Sequence, residues 1–243
     1  GDFQWPEHIG IFTVPVQIAV KYKIPLIIWG ENPQFEYGQP TDINKDTILD
    51  REWNEKNGGY FLDKIKPEHM TKYGFEVKDL KPYLYPSDDE IKKVGVTGVF
   101  LGTYIKWDIF KQLEFVKTLG FSENDEIREG TYDRWENLDV YFSVFHDYFK
   151  FIKYGFGRTT DHVSIEIRYG KMTREKGIEL IKKHEGKIPQ KYLKEFLNAA
   201  AITMNEFEEI CDKFTSKELF QTDQDGKLVK DKEGNLTLKK EIT

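Results

Sequence analysis

The chain has 243 residues, enough to bury a sizeable core as one large domain or two small ones. Aromatic residues make up 15% and charged residues 32%, a balance that excludes a disordered chain, which lacks the apolar surface to offset its ordering entropy. The formal net charge is -6, and lysines and glutamates share the same segments, so the concentrated basic face that nucleic-acid binding needs is missing.

At the start, Gly1-Asp-Phe-Gln-Trp-Pro6 has neither a basic nor an apolar leader segment and reads as an entry in mid-domain. Pro6 suits a first helical turn, and Ile9, Phe12, Val16, Ala19 and Val20 keep an apolar stripe as far as Lys23, with a kink expected at Pro15. Ile24 to Trp29 is a short continuous apolar run closed by Gly30, the pattern of a strand buried on both faces of a parallel sheet. No apolar stretch approaches the roughly 20 residues that span a bilayer.

Residues 40–86 are polar and broken by Gly58-Gly59, Pro67, Pro82 and Pro86, which predicts short helices and loops forming a lid or insertion. Ser87-Asp-Asp-Glu90 is a capping-box pattern, so a helix is expected from about residue 88 to just before Gly95. Val96 to Ile105 is a second strand candidate. Helical periodicity then predicts helices over 108–119, 136–154, 161–169, 173–185, 189–199 and 204–214, with Gly120, Gly155, Gly170 and Gly186 at their C-terminal caps. In the second of these, Tyr141, Phe142, Phe145, Tyr148, Phe149 and Ile152 form a core stripe, and Phe100, Leu101 and Trp107 also read as core. The tail from Gln221 is polar with two glycine turns, expected as a hairpin or a mobile end, and no internal repeat stands out. The single cysteine, Cys211, lies in a helical segment where a buried, inert thiol is expected, which fits a reducing cytoplasm.

Chemistry concentrates in two places. Trp29-Gly-Glu-Asn-Pro-Gln-Phe-Glu36 directly follows the first strand, and ligands of open parallel sheets bind beyond the carboxyl ends of strands. Gly30 would permit close backbone approach, Asn32 would donate and accept, and Glu31 or Glu36 could hold magnesium; equally, Asn32 and the glutamates could simply cap the next turn. The second place is Arg158-Thr-Thr-Asp161 with Arg168 and Arg174, where guanidinium groups suit phosphate or carboxylate capture. The alternative there is that Thr160 caps a helix, Asp161 sits in its first turn and Arg168 pairs with Glu166 or Glu175. The five histidines have no helical i, i+4 pair and no neighbouring cysteine, so they do not suggest a zinc site, with His8 near the sheet edge the one worth testing.

Four separated blocks carry a family resemblance: Gly1-Asp-Phe-Gln-Trp-Pro-Glu-His-Ile-Gly-Ile-Phe12, Ile24-Pro-Leu-Ile-Ile-Trp-Gly-Glu-Asn-Pro-Gln-Phe-Glu-Tyr-Gly38, Phe100-Leu-Gly-Thr-Tyr-Ile-Lys-Trp-Asp108, and Tyr154-Gly-Phe-Gly-Arg-Thr-Thr-Asp161 with Ile165-Glu-Ile-Arg-Tyr-Gly170. Together they resemble the C-terminal portion of the N-acetyl sugar amidotransferases of the PP-loop ATP pyrophosphatase superfamily. The resemblance implies an α/β fold: residues 1–110 would be the remainder of a Rossmann-like, adenine nucleotide hydrolase-like PP-loop domain with an insertion at 40–86, followed by a helical region over 111–220 and a polar tail over 221–243. It also implies an ATP- and Mg2+-dependent ligase-type enzyme that turns the acetamido group of a nucleotide-linked sugar into an acetamidino group. Such sugars serve surface polysaccharides, O-antigen among them, or flagellin sugars of the pseudaminic and legionaminic acid type. The ammonia would come from a glutaminase subunit and its cyclase-like channelling partner. By the superfamily pattern Gly30, Asn32 and Glu36, with the adjacent Glu31, would form the nucleotide edge, with Glu36 on the metal, while Arg158, Asp161 and Arg168 would face the sugar. The superfamily's Ser-Gly-Gly-x-Asp-Ser phosphate loop does not occur in this sequence. The expectation is therefore that the chain alone does not activate a substrate with ATP. The rival readings are a catalytically silent sugar-binding or partner-docking piece and another PP-loop amide-forming synthetase. A homo-oligomer is a further possibility.

Overall fold

A computed structural model describes residues 3–30, 48, 50–56, 66–105 and 108–240. The chain divides into two compact units, Asp2–Lys111 and Gln112–Thr243.

In the first unit, helix α1 (Trp5–Tyr22) starts with Pro6 in its first turn and runs through Pro15 to a left-handed Lys23. There the Ile24 amide donates to the Ala19 carbonyl, 2.8 Å, which turns the chain into β1 (Leu26–Trp29). β1 pairs in parallel with β2 (Thr97–Phe100), with Leu26 opposite Thr97 and Trp29 opposite Phe100. Between the strands come α2 (Arg51–Lys56), a 3-10 helix over Pro67–Tyr73, α3 (Val77–Leu80), a second 3-10 turn over Lys81–Tyr83, and α4 (Asp88–Val94). The capping box forms as the sequence predicts: the Glu90 amide donates to Ser87 Oγ and the Ser87 amide to Glu90 Oε2, and Gly95 closes the helix in the left-handed region. One face of the strand pair is packed. Trp53 is buried against Phe100, ring centroids 5.0 Å apart, and Phe12 of α1 lies 5.6 Å from Trp29. Gln17 of α1 donates to the carbonyls of Lys81 and Leu84 at 2.8 and 2.7 Å, tying the intervening segment to the helix.

Two expectations are corrected here. The first strand is not buried on both faces: Leu26 is 50% and Ile28 58% exposed. A strand alternates its side chains; Trp29 meets Phe12 on one side, and among the described residues nothing covers the other. The second strand ends at Phe100 instead of continuing to residue 105, because a 3-10 turn over Leu101–Thr103 takes over. Phe100 is core, but Leu101 is 37% exposed; Trp107 lies outside the described residues.

α5 (Ile109–Thr118) spans the boundary between the units. The second unit then builds α6 (Ser143–Tyr154), α7 (Arg158–Arg168), α8 (Arg174–His184), α9 (Leu193–Ala200) and α10 (Met204–Phe214). Its core is aromatic: Phe145 stacks on Phe196 with centroids 4.2 Å apart, Phe207 meets Phe145 edge-on at 6.3 Å, and Phe149, Phe151, Ile152, Cys211 and Phe220 complete the cluster. Burying each large side chain contributes about 1.5–3 kcal/mol. The expected stripe on α6 is therefore core, apart from Tyr141, which is exposed. Burial pushes the Cys211 thiol up to about 12, an inert thiol as anticipated.

Helix starts differ from the sequence reading. The helix predicted over 136–154 begins only at Ser143: Asp133 captures the amides of Trp135 and Glu136, and Asn137 takes a left-handed φ of 47°, so the chain turns where the periodicity continues. The helix predicted over 161–169 begins earlier, at Arg158, because a distant carboxylate caps it. Glu185 accepts from the Thr160 amide at 2.5 Å and from its hydroxyl at 3.0 Å, so Thr160 is not the cap. α9 starts at Leu193 instead of 189.

The tail does contain a repeat. Asp223-Gln-Asp-Gly-Lys-Leu228 and Asp231-Lys-Glu-Gly-Asn-Leu236 make the same turn twice. In each, the aspartate Oδ1 accepts two amides ahead of it, the glycine takes a positive φ (76° and 86°), and the leucine closes an antiparallel bridge, Thr222 to Leu228 and Lys230 to Leu236. Phe220 at its base is fully buried and bridges Leu238, so the segment docks on the core.

Candidate functional site

At the carboxyl end of β1, Gly30 forms an exposed bend immediately after Trp29. Glu31, Asn32 and Glu36, the remainder of the anticipated nucleotide and magnesium edge, lie outside the described residues.

In the second unit the loop 128–136 lies against α6 and α7, and their polar side chains form one connected charge network. Asp147 of α6, only 4% exposed at its side chain, receives Arg158 at 3.1 Å and Arg128 at 3.5 Å. Arg158 also lies 3.6 Å from Glu136. Glu136 in turn meets His162 Nε2 at 2.9 Å, while His162 Nδ1 lies 3.2 Å from Asp133. Thr131 donates to Asp133 at 2.8 Å. Trp135 stacks on the imidazole with planes 16° apart, and Tyr132 meets the ring edge-on while donating to Glu166 at 2.6 Å. Lys150 and Asp161 pair beside this network.

The electrostatics follow from that geometry. Burial alone would lower the His162 pKa, but its hydrogen bonds to Asp133 and Glu136 outweigh burial and hold it up at about 9, so the ring is an imidazolium at neutral pH. Burial would raise Asp147, yet the charge of Arg158 leads the opposing effects and brings it to about 2. Asp133 is likewise held well below the usual carboxylate range, with His162 overcoming burial. Glu185 differs: burial raises its pKa despite the Thr160 hydrogen bonds.

Asp133, Glu136 and His162 each bring a ligand atom within 4.8 Å of the others, which is a donor set compatible with a divalent ion. Two features count against one. Each ring nitrogen already faces its own carboxylate, so a single ion could take only one of them, and Arg158 stands beside Glu136. Three carboxylates, Asp133, Glu136 and Asp147, also meet three cations, His162, Arg128 and Arg158, so charge is matched without a metal. The sequence does not point to His162, because a test against other histidines and cysteines misses its partners, which are carboxylates 26 and 29 positions earlier.

Of the anticipated sugar-facing residues, Arg158 and Asp161 come together on the first turns of α7, both ion-paired. Arg168 stands apart, exposed in the last turn. Glu166, suggested as its partner, binds Tyr132 instead.

All of this network but Arg128 lies within one matched region. Residues 129–232 match the family model for the LPS biosynthesis protein WbpG-like C-terminal domain. The match agrees with the resemblance to the C-terminal portion of the amidotransferases, and the description of that family names lipopolysaccharide biosynthesis. A comparison with curated proteins finds no match. The matched region contains Asp133, Glu136, Asp147, Arg158 and His162, most of the core aromatics, and the first turn repeat with the first two residues of the second. No helix among the described residues is long and apolar enough to cross a membrane.

Proposed function

We propose that the chain is the C-terminal portion of an ATP-dependent amidotransferase acting on the N-acetyl group of a nucleotide-linked sugar for polysaccharide biosynthesis. The observation that carries this reading is the WbpG-like match over 129–232, which includes the Tyr154–Gly170 block, one of the four that carry the sequence resemblance. The parallel pairing of β1 and β2, with Gly30 at the carboxyl end of β1, is compatible with a nucleotide edge there.

In the reaction, the acetamido oxygen attacks the α-phosphorus of ATP, forming a C–O–P bond and releasing pyrophosphate. Ammonia then adds to the imidate carbon, the oxygen leaves with AMP, and loss of a proton gives the acetamidino group. Gly30, Glu31, Asn32 and Glu36 would form the nucleotide edge, with the Glu36 carboxylate on Mg2+. A glutaminase and its channelling partner would supply the ammonia. Arg158, engaged by Asp147 and Glu136, would capture a sugar phosphate only by giving up buried partners. In this reading it and Asp161 act by fixing the start of α7.

The test incubates the chain with Mg-ATP, ammonia and nucleotide-linked N-acetyl sugars, with and without a polypeptide bearing a Ser-Gly-Gly-x-Asp-Ser loop. The expected result is amidine and AMP in equal amounts only when the loop is supplied. Sugar binding without any amidine in either arm would favour the silent sugar-binding reading, for which the sequence's lack of that loop speaks. AMP formed without amidation would contradict both.

A further inference from the structure

α1 is apolar on two sides. Trp5, Ile9, Thr13, Val16 and Ala19 face the core of the first unit. On the opposite side Ile11, Val14 and Ile18 are 42%, 39% and 43% exposed, and Tyr22 is 62% exposed. Single exposed apolar residues are ordinary, but a continuous stripe along an 18-residue helix is not. A helix that is apolar all round is one that packs on both sides.

We propose that this outer stripe is the seam of a two-fold homodimer in which α1 lies antiparallel against α1 of a second copy. The spacing fits a two-helix seam: Ile11 and Ile18 stand seven residues apart with Val14 between them. The ends decide the orientation and the partner. Glu7 continues the stripe toward the N-terminus and Lys21 toward the C-terminus, both exposed. Antiparallel self-pairing sets Glu7 of each copy against Lys21 of the other at both ends of the seam, whereas a parallel pair would set like charge on like. The antiparallel arrangement also opposes the two helix dipoles. One patch that complements itself in this way is what a two-fold interface requires. The four apolar stripe residues take no part in the buried clusters, so they can be changed without unfolding the unit.

Sedimentation velocity on the intact chain over a range of concentrations provides the test. The expected result is a concentration-dependent dimer whose dissociation constant rises about thirtyfold or more in Ile18→Lys, as for an interface hot spot, with circular dichroism unchanged and the melting temperature equal to that of the unaltered chain when both are measured at concentrations where both are monomeric. Glu7→Lys alone should weaken the dimer, and combining it with Lys21→Glu should restore it. The proposal is overturned by a monomer at every concentration, by a dimer indifferent to Ile18→Lys, or by failure of the charge swap to restore pairing. A dimer lost in Leu26→Lys but kept in Ile18→Lys would place the second copy on the open sheet face instead, and would equally overturn it.

Discussion

The two units solve the same problem in opposite ways. The second unit gathers its phenylalanines into one cluster and buries its charges in mutually compensating pairs, so that Phe145 and Ile152 are fully covered and Asp147 nearly so. Among its described residues the first unit buries small separate clusters around Trp5 and Trp53, and leaves Ile11, Ile18, Leu26 and Ile28 in contact with solvent. Apolar content alone therefore does not make a core. The second unit has helices on several sides of α6, whereas the described part of the first packs α1 on one face of two strands.

The largest expected effect of a single change lies in the aromatic cluster. Phe145→Ala should cost about 3–5 kcal/mol, measured by denaturant unfolding. Next comes the charge network. Asp147→Ala leaves Arg128 and Arg158 facing each other without their shared carboxylate, and should cost about 3 kcal/mol.

The same network predicts a pH profile. His162, raised to about 9, contributes stability that is complete below its unfolded pKa near 6.5 and is lost as pH rises through 9. Asp147, lowered to about 2, contributes stability present above about 3.8 and lost as pH falls through 2. Unfolding free energy should thus be highest between these windows, and His162→Gln should remove the His162 part of the alkaline decline and, because Asp133 loses its main partner, weaken the acid limb while leaving the part due to Asp147.

A smaller effect tests close packing between α7 and α8. A Cβ on Gly177 would lie 2.3 Å from Val163 Cγ1, so Gly177→Ala should destabilise by about 1–2 kcal/mol even though alanine is the better helix former. In a Val163→Ala background the added cost should shrink, a coupling that a double-mutant cycle reads directly. The smallest effect belongs to the open strand face. Ile28→Lys should change stability by no more than about 0.5 kcal/mol, while Ile27→Lys, on the packed side of the same strand, should cost more.

Much of this was legible in the sequence where the deciding interaction is local. The Ser87–Glu90 capping box, the left-handed glycines after α4 and α6, and the aromatic stripe of α6 depend on residues within one or two turns of one another. The misreadings share a distant cause. α7 starts at Arg158 because Glu185 reaches it from 25 positions away, and α6 starts late because Asp133 holds the loop before it through both His162 and local amides. The short octad in the tail escaped notice because its two copies share only the aspartate, the glycine and the leucine, the three positions that the turn needs. At the candidate site Arg158 and Asp161 were found by residue type, but their partners Asp147, Glu136 and Lys150 were not, since ion pairing across elements leaves no spacing signature.

Native-state hydrogen exchange, read by segment in the intact chain, tests the contrast between the units most directly. Amides of Val144 to Ile152 and Phe207 to Cys211 should exchange only through the global unfolding of their unit, with the slowest rates in the molecule. Those of Leu26 to Trp29 and Thr97 to Phe100 should exchange faster through local opening of the two-stranded pair. Equal or greater protection of the strands would contradict the account, because it would mean that the exposed apolar face is not the weaker side of this protein.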